Sequence, residues 1–170
     1  MNRRPLTEEQ KKSFITLINE HQGLIHKVCI LYETDKEARN DLFQEIVLQL
    51  WKSFSSFREQ SKISTWLYRV ALNTSIYFLK KDKRKPYTVP IDMAAQKFTD
   101  EFDATETKQL KTLYEHIHQL SLLEKGIILL YLEGKSHEEI AAITGLSKTN
   151  VGTKLSRIKE KLKSQINKNI

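Results

Sequence analysis

Apolar residues recur at every third or fourth position along most of the chain, which is the period of an α-helix. Residues 6–85 contain one glycine, Gly23, and no proline, so few helix-breaking residues interrupt this period. Thr7 and Gln10 have the spacing of a capping box, which marks the start of the first helix. The first half of the chain is therefore predicted to form helices over about residues 7–19, 22–32, 36–53 and 65–85.

The helical pattern stops at Pro86, and residues 86–105 hold two prolines and several acidic residues. We interpret residues 86–105 as a linker between two domains, residues 1–85 and residues 106–170. Beyond the linker, capping boxes and glycines mark three short helices followed by a long one. No stretch has the alternation of a strand, so the predicted fold class is all-α, with two small helical domains joined by a linker.

The C-terminal domain has the spacing of a helix-turn-helix. Two helices joined by a tight turn can cross steeply only if their near sides carry small residues. Ala141 and Ala142 would supply such residues on the first of the two helices. Gly145 permits the left-handed backbone that the turn needs. An ordinary antiparallel helical hairpin is the alternative. The last helix should pack through one apolar stripe, formed by Val151, Leu155, Ile158 and Leu162.

The remaining surface of this last helix is polar and basic near its N-terminal half. These are the positions of a recognition helix that enter the major groove of DNA. Gly152 is an oddity among them, because glycine costs a helix about 1 kcal/mol relative to alanine. It either lets the backbone approach DNA or is merely tolerated. The candidate DNA-contacting residues are Lys148, Thr149, Gly152, Thr153, Lys154, Ser156 and Arg157.

Two basic clusters carry most of the formal net charge of +7. Residues 145–170 hold seven basic residues and one acidic residue, and residues 80–85 hold five and one. Two separate patches indicate a polyanion contacted at two places, although a single charge run is also typical of a solvated surface. With Cys29 as the one cysteine, no intrachain disulfide forms, which fits a reducing compartment. No signal peptide or membrane span is recognisable, so we expect a cytoplasmic protein without membrane insertion.

Trp66, Arg69 and Asn73 share one helical face in the N-terminal domain, directly before the basic cluster at residues 80–85. An aromatic ring, a cation and an amide on one surface are the groups that bind an unstacked single strand, with cations along its phosphates. The alternative is that Trp66 belongs to the hydrophobic core.

A second polar face lies on the preceding helix, where Asp41, Gln44, Glu45 and Leu48 fall on one side. Such a face is usually solvated surface. The functional alternative is a docking site for another protein.

The segments that carry these features resemble two regions of one known family. DLFQEIVLQLWKSF, followed by ISTWLYRVALNTSIYFLKKDKRK, resembles region 2 of bacterial RNA polymerase sigma factors. LSLLEKGIILLYLEGKSHEEIAAITGLSKTNVGTKLSRIKEKLK resembles their region 4. With only these two regions, the chain looks like the small extracytoplasmic-function type of the sigma-70 family.

The resemblance implies a role for each cluster. Region 2 would dock on the polymerase β′ clamp helices through Asp41, Gln44, Glu45, Leu48 and Trp51. It would capture a flipped −10 base with the loop at residues 57–64, which ends at Ser64, and with Trp66, Arg69 and Asn73. The basic cluster at residues 80–85 would hold duplex or strand phosphate upstream, through Lys80, Lys81, Lys83 and Arg84. The last helix, with contacts to the β flap nearby, would read the −35 element. Gly152 departs from the family, where many members carry arginine or lysine.

Three function classes are compatible with parts of this sequence. A sigma factor that recognises promoters together with core RNA polymerase accounts for both basic patches, and by resemblance an anti-sigma partner is expected. A helix-turn-helix regulator would leave Trp66 and Asn73 unexplained. An enzyme lacks support, because the chain shows no phosphate loop or nucleophile motif, and His26 with Cys29 supplies only two metal ligands. We therefore expect no catalysis and no cofactor.

Overall fold

The computed structural model describes residues 4–57, 59–82 and 107–168. Within these residues every regular element is an α-helix, which confirms the predicted all-α class. The helices are α1 (Glu8–Tyr32), α2 (Lys36–Phe54), α3 (Ile63–Asp82), α4 (Thr107–His118), α5 (Leu122–Leu132), α6 (His137–Thr144) and α7 (Lys148–Lys168).

Helices α1, α2 and α3 pack against one another as a three-helix bundle. The capping box at the start of α1 is formed, with the Gln10 amide donating to the Thr7 hydroxyl at 3.2 Å. Asp35 caps α2 by accepting from the Ala38 amide at 3.1 Å. The bundle core is fully buried at Leu42, Ile46, Leu50 and Leu67.

Helix α1 runs without interruption through the break that we predicted near residues 20–21. The prediction of two helices there is wrong. Gly23 keeps helical backbone, and a glycine at an exposed helical position costs only about 1 kcal/mol relative to alanine. Burial of Phe14 on one side of the break and of Ile25 and Val28 on the other outweighs that cost.

Helices α4 to α7 form the second bundle, in which α7 packs on each of the other three. Its connections follow the predicted capping chemistry. Ser121 with Glu124 forms the capping box of α5, and Ser136 with Glu139 forms that of α6. Each serine hydroxyl accepts a backbone N–H that would otherwise lack a partner in the first turn of its helix.

The two bundles lie against each other. Helix α1 contacts α4 and α5, and α3 contacts α5 and α6. The predicted linker at residues 86–105, together with Lys83 and Arg84, lies outside the described residues. None of the helices in the described part of the chain is long and apolar enough to cross a membrane.

Candidate nucleic-acid interface

The turn between α6 and α7 has the predicted geometry. Gly145 ends α6 with φ 79° and ψ 6°, in the left-handed region, and its amide donates to the Ala141 carbonyl at 2.9 Å. Ser147 then caps α7, because its hydroxyl accepts from the Asn150 amide at 3.1 Å. The two helices are thus joined by three residues, Gly145 to Ser147, which is the turn length of a helix-turn-helix.

Helix α7 has one buried face and one solvent face. The apolar stripe from Val151 to Leu162 is buried, with Val151 0% and Leu162 6% exposed. This confirms the predicted packing face. Of the candidate DNA-contacting residues, Gly152 and Lys154 are half-buried, and those that are exposed are Lys148, Thr149, Thr153, Ser156 and Arg157.

Two of the exposed side chains already have partners inside the domain. The Lys148 ammonium lies 2.8 Å from the Glu138 carboxylate, and this contact lowers the pKa of Glu138 through a hydrogen bond and through charge. The Thr153 hydroxyl donates to the Thr149 carbonyl at 3.1 Å. An ion pair this exposed contributes little to stability because solvent screens it, so a DNA phosphate can replace Glu138 at little cost.

Gly152 faces the ring of His137, which opens helix α6. A β-carbon added at residue 152 would meet the ring Nδ1 and Cε1 atoms at 3.6 and 3.7 Å, which is ordinary van der Waals contact. Packing inside the domain therefore leaves room for a side chain at this position.

Trp66 lies in the core, 7% exposed, which is the alternative that the sequence left open. Its ring packs on Phe57, with centroids 4.8 Å apart, and more distantly on Phe54 at 6.4 Å. Phe57 belongs to the loop that precedes α3, so the buried Trp66 ring supports this loop from the side of the core.

The other candidate −10 residues are not gathered into one exposed face. Asn73 is exposed and Ser64 half-buried. The Arg69 guanidinium is turned toward the second bundle and donates to the Ala142 carbonyl at 2.8 Å. Lys80 and Lys81 are exposed in the last turn of α3.

A cavity of about 480 Å³ opens beside the loop that contains Phe57, and no sequence pattern predicted it. Leu17, Phe54, Phe57 and Ile63 supply apolar walls. Polar groups come from the start of α1, at Glu9, Gln10 and Ser13, and from Ser55 and Glu59 after α2. A pocket that combines aromatic walls with a few polar groups has the chemistry to receive a planar base.

Helix α2 presents the candidate protein-docking face. Asp41, Gln44 and Leu48 are exposed, Leu48 to 44%, whereas Glu45 and Trp51 are half-buried. Next to Leu48 an almost wholly apolar groove of about 330 Å³ runs along the helix. The groove is lined by Phe14, Phe43, Gln44, Val47, Leu48 and Trp51.

This groove changes the prediction for α2 in one respect. The predicted face included Leu48 and Trp51 beside its acidic and amide side chains, and the half-buried Phe43 and Val47 extend its apolar part. An apolar patch rimmed by polar residues is typical of a protein-binding surface.

Comparison with known proteins matches both halves of the chain. Residues 17–85 match the family described as Sigma-70 region 2, and residues 110–162 match Sigma-70, region 4. The ECF RNA polymerase sigma-E factor of Haemophilus influenzae is 29% identical, over 92% of this chain and 88% of its own. The RNA polymerase sigma factor SigV of Bacillus subtilis is 27% identical, over 93% of both chains.

Two solved structures share the fold. The sigma factor RpoE in complex with the anti-sigma factor NepR from Bartonella quintana has a TM-score of 0.66 and 19% identity, over 95% of this chain and 98% of that one. CnrH in complex with the cytosolic domain of CnrY has a TM-score of 0.65 and 20% identity, over 94% and 91%. Region 2 precedes region 4 in this chain, and the relatives align with nearly the whole of its length. The chain therefore belongs to the sigma-70 family of RNA polymerase sigma factors, in its extracytoplasmic-function group.

Proposed function

We propose that this chain binds core RNA polymerase and directs it to promoters through two DNA contacts, −10 through the first bundle and −35 through the second. The observation that carries the proposal is helix α7. Its apolar stripe is buried, its opposite face is exposed and basic, and the tight turn at Gly145 sets it as the second helix of a helix-turn-helix.

The −35 contact is made by the N-terminal half of α7. Arg157 and Lys154 supply charge for bases and phosphates, and Thr149 and Ser156 supply short polar side chains for base edges. Lys148 joins them when a phosphate takes the place of Glu138.

The −10 contact is made by the loop before α3 and by the exposed side of that helix. The cavity beside Phe57 receives the flipped base, and Trp66 acts as a positioning residue because it holds Phe57 from the core side. Asn73 and the two lysines at the end of α3, Lys80 and Lys81, contact the single strand next to that base.

Polymerase docks on α2. Leu48 and the apolar groove beside it supply the buried area, and Asp41 and Gln44 supply polar contacts at the rim. The partners on the polymerase are the β′ clamp helices for this face and the β flap for the second bundle.

An anti-sigma factor is a further proposed partner, since two proteins of the same fold were solved in complexes, one of them named as an anti-sigma complex. We place the chain in the cytoplasm, where polymerase acts, and assign it no catalysis of its own and no cofactor. In the described residues no group of three histidine, cysteine or acidic side chains is arranged to hold a metal ion.

Two alanine variants separate the DNA contacts. Arg157→Ala should weaken transcription that depends on the −35 element about tenfold, as expected for a lost base or phosphate contact. Asn73→Ala should reduce use of the −10 element and leave the −35 contact intact. Run-off transcription with core polymerase, on templates altered in one element at a time, measures both effects.

Lys12→Ala provides the control, because Lys12 is exposed on α1 and outside both DNA contacts. If both variants transcribe every template as well as the control does, the assignment of the two contacts is wrong.

A further inference from the structure

Gly152 is the one candidate DNA-contacting residue of α7 that has no side chain. A glycine within a helix shifts the folding equilibrium about fivefold toward the unfolded chain, relative to alanine. Packing does not require it, because a β-carbon at this position would meet its nearest neighbour at 3.6 Å, an ordinary contact distance. The backbone does not require it either, since the glycines with positive φ are Gly134 and Gly145. Nothing inside the domain therefore explains a glycine at residue 152.

The missing side chain leaves one edge of the His137 ring uncovered. His137 is the first residue of α6, and its side chain is exposed. The atoms that a β-carbon at residue 152 would meet are the ring Nδ1 and Cε1, at 3.6 and 3.7 Å. A side chain at residue 152 would thus lie against this edge, whereas glycine leaves Nδ1 open to a molecule that approaches α7. An imidazole nitrogen that carries hydrogen donates readily to an anionic oxygen.

His137 lies beside the half of α7 that contacts DNA in the proposed function. Two contacts join the first turn of α6 to the first turns of α7, the ring of His137 next to Gly152 and the carboxylate of Glu138 next to Lys148. In a helix-turn-helix the second helix enters the major groove while the first crosses the DNA backbone. A side chain that starts α6 and adjoins α7 is therefore placed where groove and phosphates meet.

The charges around this ring allow a phosphate to approach. Two carboxylates follow it in sequence, and both already bind donors. Glu139 accepts from the Ser136 amide at 2.8 Å, and Glu138 lies 2.8 Å from the Lys148 ammonium. Lys148 lies four residues before Gly152 and hence on the same side of α7 as the uncovered ring edge. Because Glu138 is exposed, it can turn into solvent and leave the ammonium group to a phosphate.

We propose that His137 is a further DNA contact of the −35 site and that Gly152 keeps its ring accessible. The ring Nδ1 donates a hydrogen bond to a phosphate oxygen of the duplex, and Lys148 supplies positive charge to the same stretch of backbone. A phosphate contact fixes the position of α7 in the groove and carries no base identity. The inference rests on the proposed function, which brings α7 to the −35 duplex.

Three variants and one matched control test the contact. His137→Ala removes the donor, whereas Gly152→Ala keeps the donor and covers the ring edge. His137→Asn retains a donor, because its amide nitrogen takes roughly the place of Nδ1. The control for Gly152→Ala is Gly23→Ala, since Gly23 is an exposed helical glycine outside both DNA contacts and a β-carbon there would meet nothing within 4 Å.

Urea unfolding first separates an effect on DNA binding from an effect on folding. Gly152→Ala and Gly23→Ala should both raise the urea midpoint, because alanine favours a helix more than glycine does. His137→Ala alters an exposed side chain and should leave the midpoint close to that of the wild type. A variant that is more stable than the wild type and yet binds DNA less tightly does not owe that loss to unfolding.

The binding measurement uses the full chain assembled with core polymerase, on a promoter duplex from which the wild type initiates. His137→Ala and Gly152→Ala should each bind about tenfold less tightly, as expected for the loss of one hydrogen bond to a charged group. The double variant should be no weaker than His137→Ala, because both changes remove the same contact. His137→Asn and Gly23→Ala should stay close to the wild type. On DNA that ends before the −35 segment, all of these proteins should bind alike.

A scan of the −35 segment then locates the phosphate. Each phosphate in turn is replaced by a methylphosphonate, which has no charge and is a poorer acceptor. One replacement should weaken binding of the wild type about tenfold and have much less effect on His137→Ala and Gly152→Ala, in which the partner is already lost or covered.

Replacements that act on His137→Ala as strongly as on the wild type would overturn the proposal, and so would a Gly152→Ala variant that binds the intact promoter normally. A loss that persists on DNA without the −35 segment would also overturn it, because His137 would then contact polymerase and not DNA. A wild-type chain that starts transcription from no promoter would instead overturn the proposed function, on which this contact depends.

Discussion

At the scale of single residues, Gly145 sets the direction in which helix α7 leaves the turn. Its φ of 79° is a conformation that costs an L-residue with a β-carbon about 1–2 kcal/mol. Gly145→Ala should therefore lower the free energy of unfolding by about 1 kcal/mol, as measured by urea denaturation. The same change at Gly23, inside α1, should be neutral or stabilising. Equal effects at both positions would contradict the strain assigned to the turn.

Gly145 was predictable because its conformation is dictated locally, by the turn that it begins. Trp66 was not, although it is the more conspicuous residue. Helical spacing places Trp66, Arg69 and Asn73 on one side of α3, but spacing does not say which part of that side the other helices cover. The burial of Trp66 depends on Phe54 and Phe57, which reach it from outside α3.

His118, at the end of α4, makes stability depend on pH. Burial, and to a lesser extent the charge of Lys125, lower the pKa of His118 from 6.5 to about 4. Between these values the unfolded chain binds a proton that the folded chain does not, so stability falls as the pH drops from 6.5 toward 4. The loss attributable to His118 is at most about 3 kcal/mol.

His118→Gln should remove this part of the acid sensitivity. Urea unfolding at pH 7 and at pH 4.5 should show a smaller drop for the variant than for the wild type. Acidic groups with lowered pKa values, such as Glu124, still weaken the fold in acid in both proteins, so the difference between the two isolates His118. Identical drops would show that His118 is not buried as a neutral ring.

At the scale of helices, the capping box of α6 fixes where the helix-turn-helix begins. The Glu139 amide donates to the Ser136 hydroxyl at 3.2 Å, and the Ser136 amide donates to the Glu139 carboxylate at 2.8 Å. Ser136→Ala should cost about 1 kcal/mol of stability in urea unfolding. Ser164→Ala, an exposed position within α7, should be neutral or slightly stabilising. A Ser136→Ala variant as stable as Ser164→Ala would contradict the role of the cap.

The residues at which helices start were easier to predict than the continuity of a helix. Caps at Thr7, Asp35, Ser121 and Ser136 are local hydrogen bonds between residues three apart, and the sequence shows them directly. The continuity of α1 was missed because a weak local signal at Gly23 is overridden by burial of side chains on both sides of it.

At the scale of the whole molecule, the contacts between the bundles had no sequence signal. The bond from Arg69 to Ala142 joins residues 73 positions apart, and a backbone carbonyl as acceptor leaves no trace in residue identity. The apolar groove on α2 is also assembled from two helices, with Phe14 from α1 beside Leu48 and Trp51. The two basic clusters, by contrast, lie in different segments of the sequence, and from them the sequence predicts a separate DNA contact for each bundle.

Reconstitution with bacterial core RNA polymerase on a library of promoter sequences tests the central claim most directly. The account predicts initiation that requires both the chain and the polymerase, from a subset of templates that share a −10 and a −35 sequence at a fixed separation. A chain that binds duplex DNA by itself but starts no transcript with the polymerase on any template would contradict it.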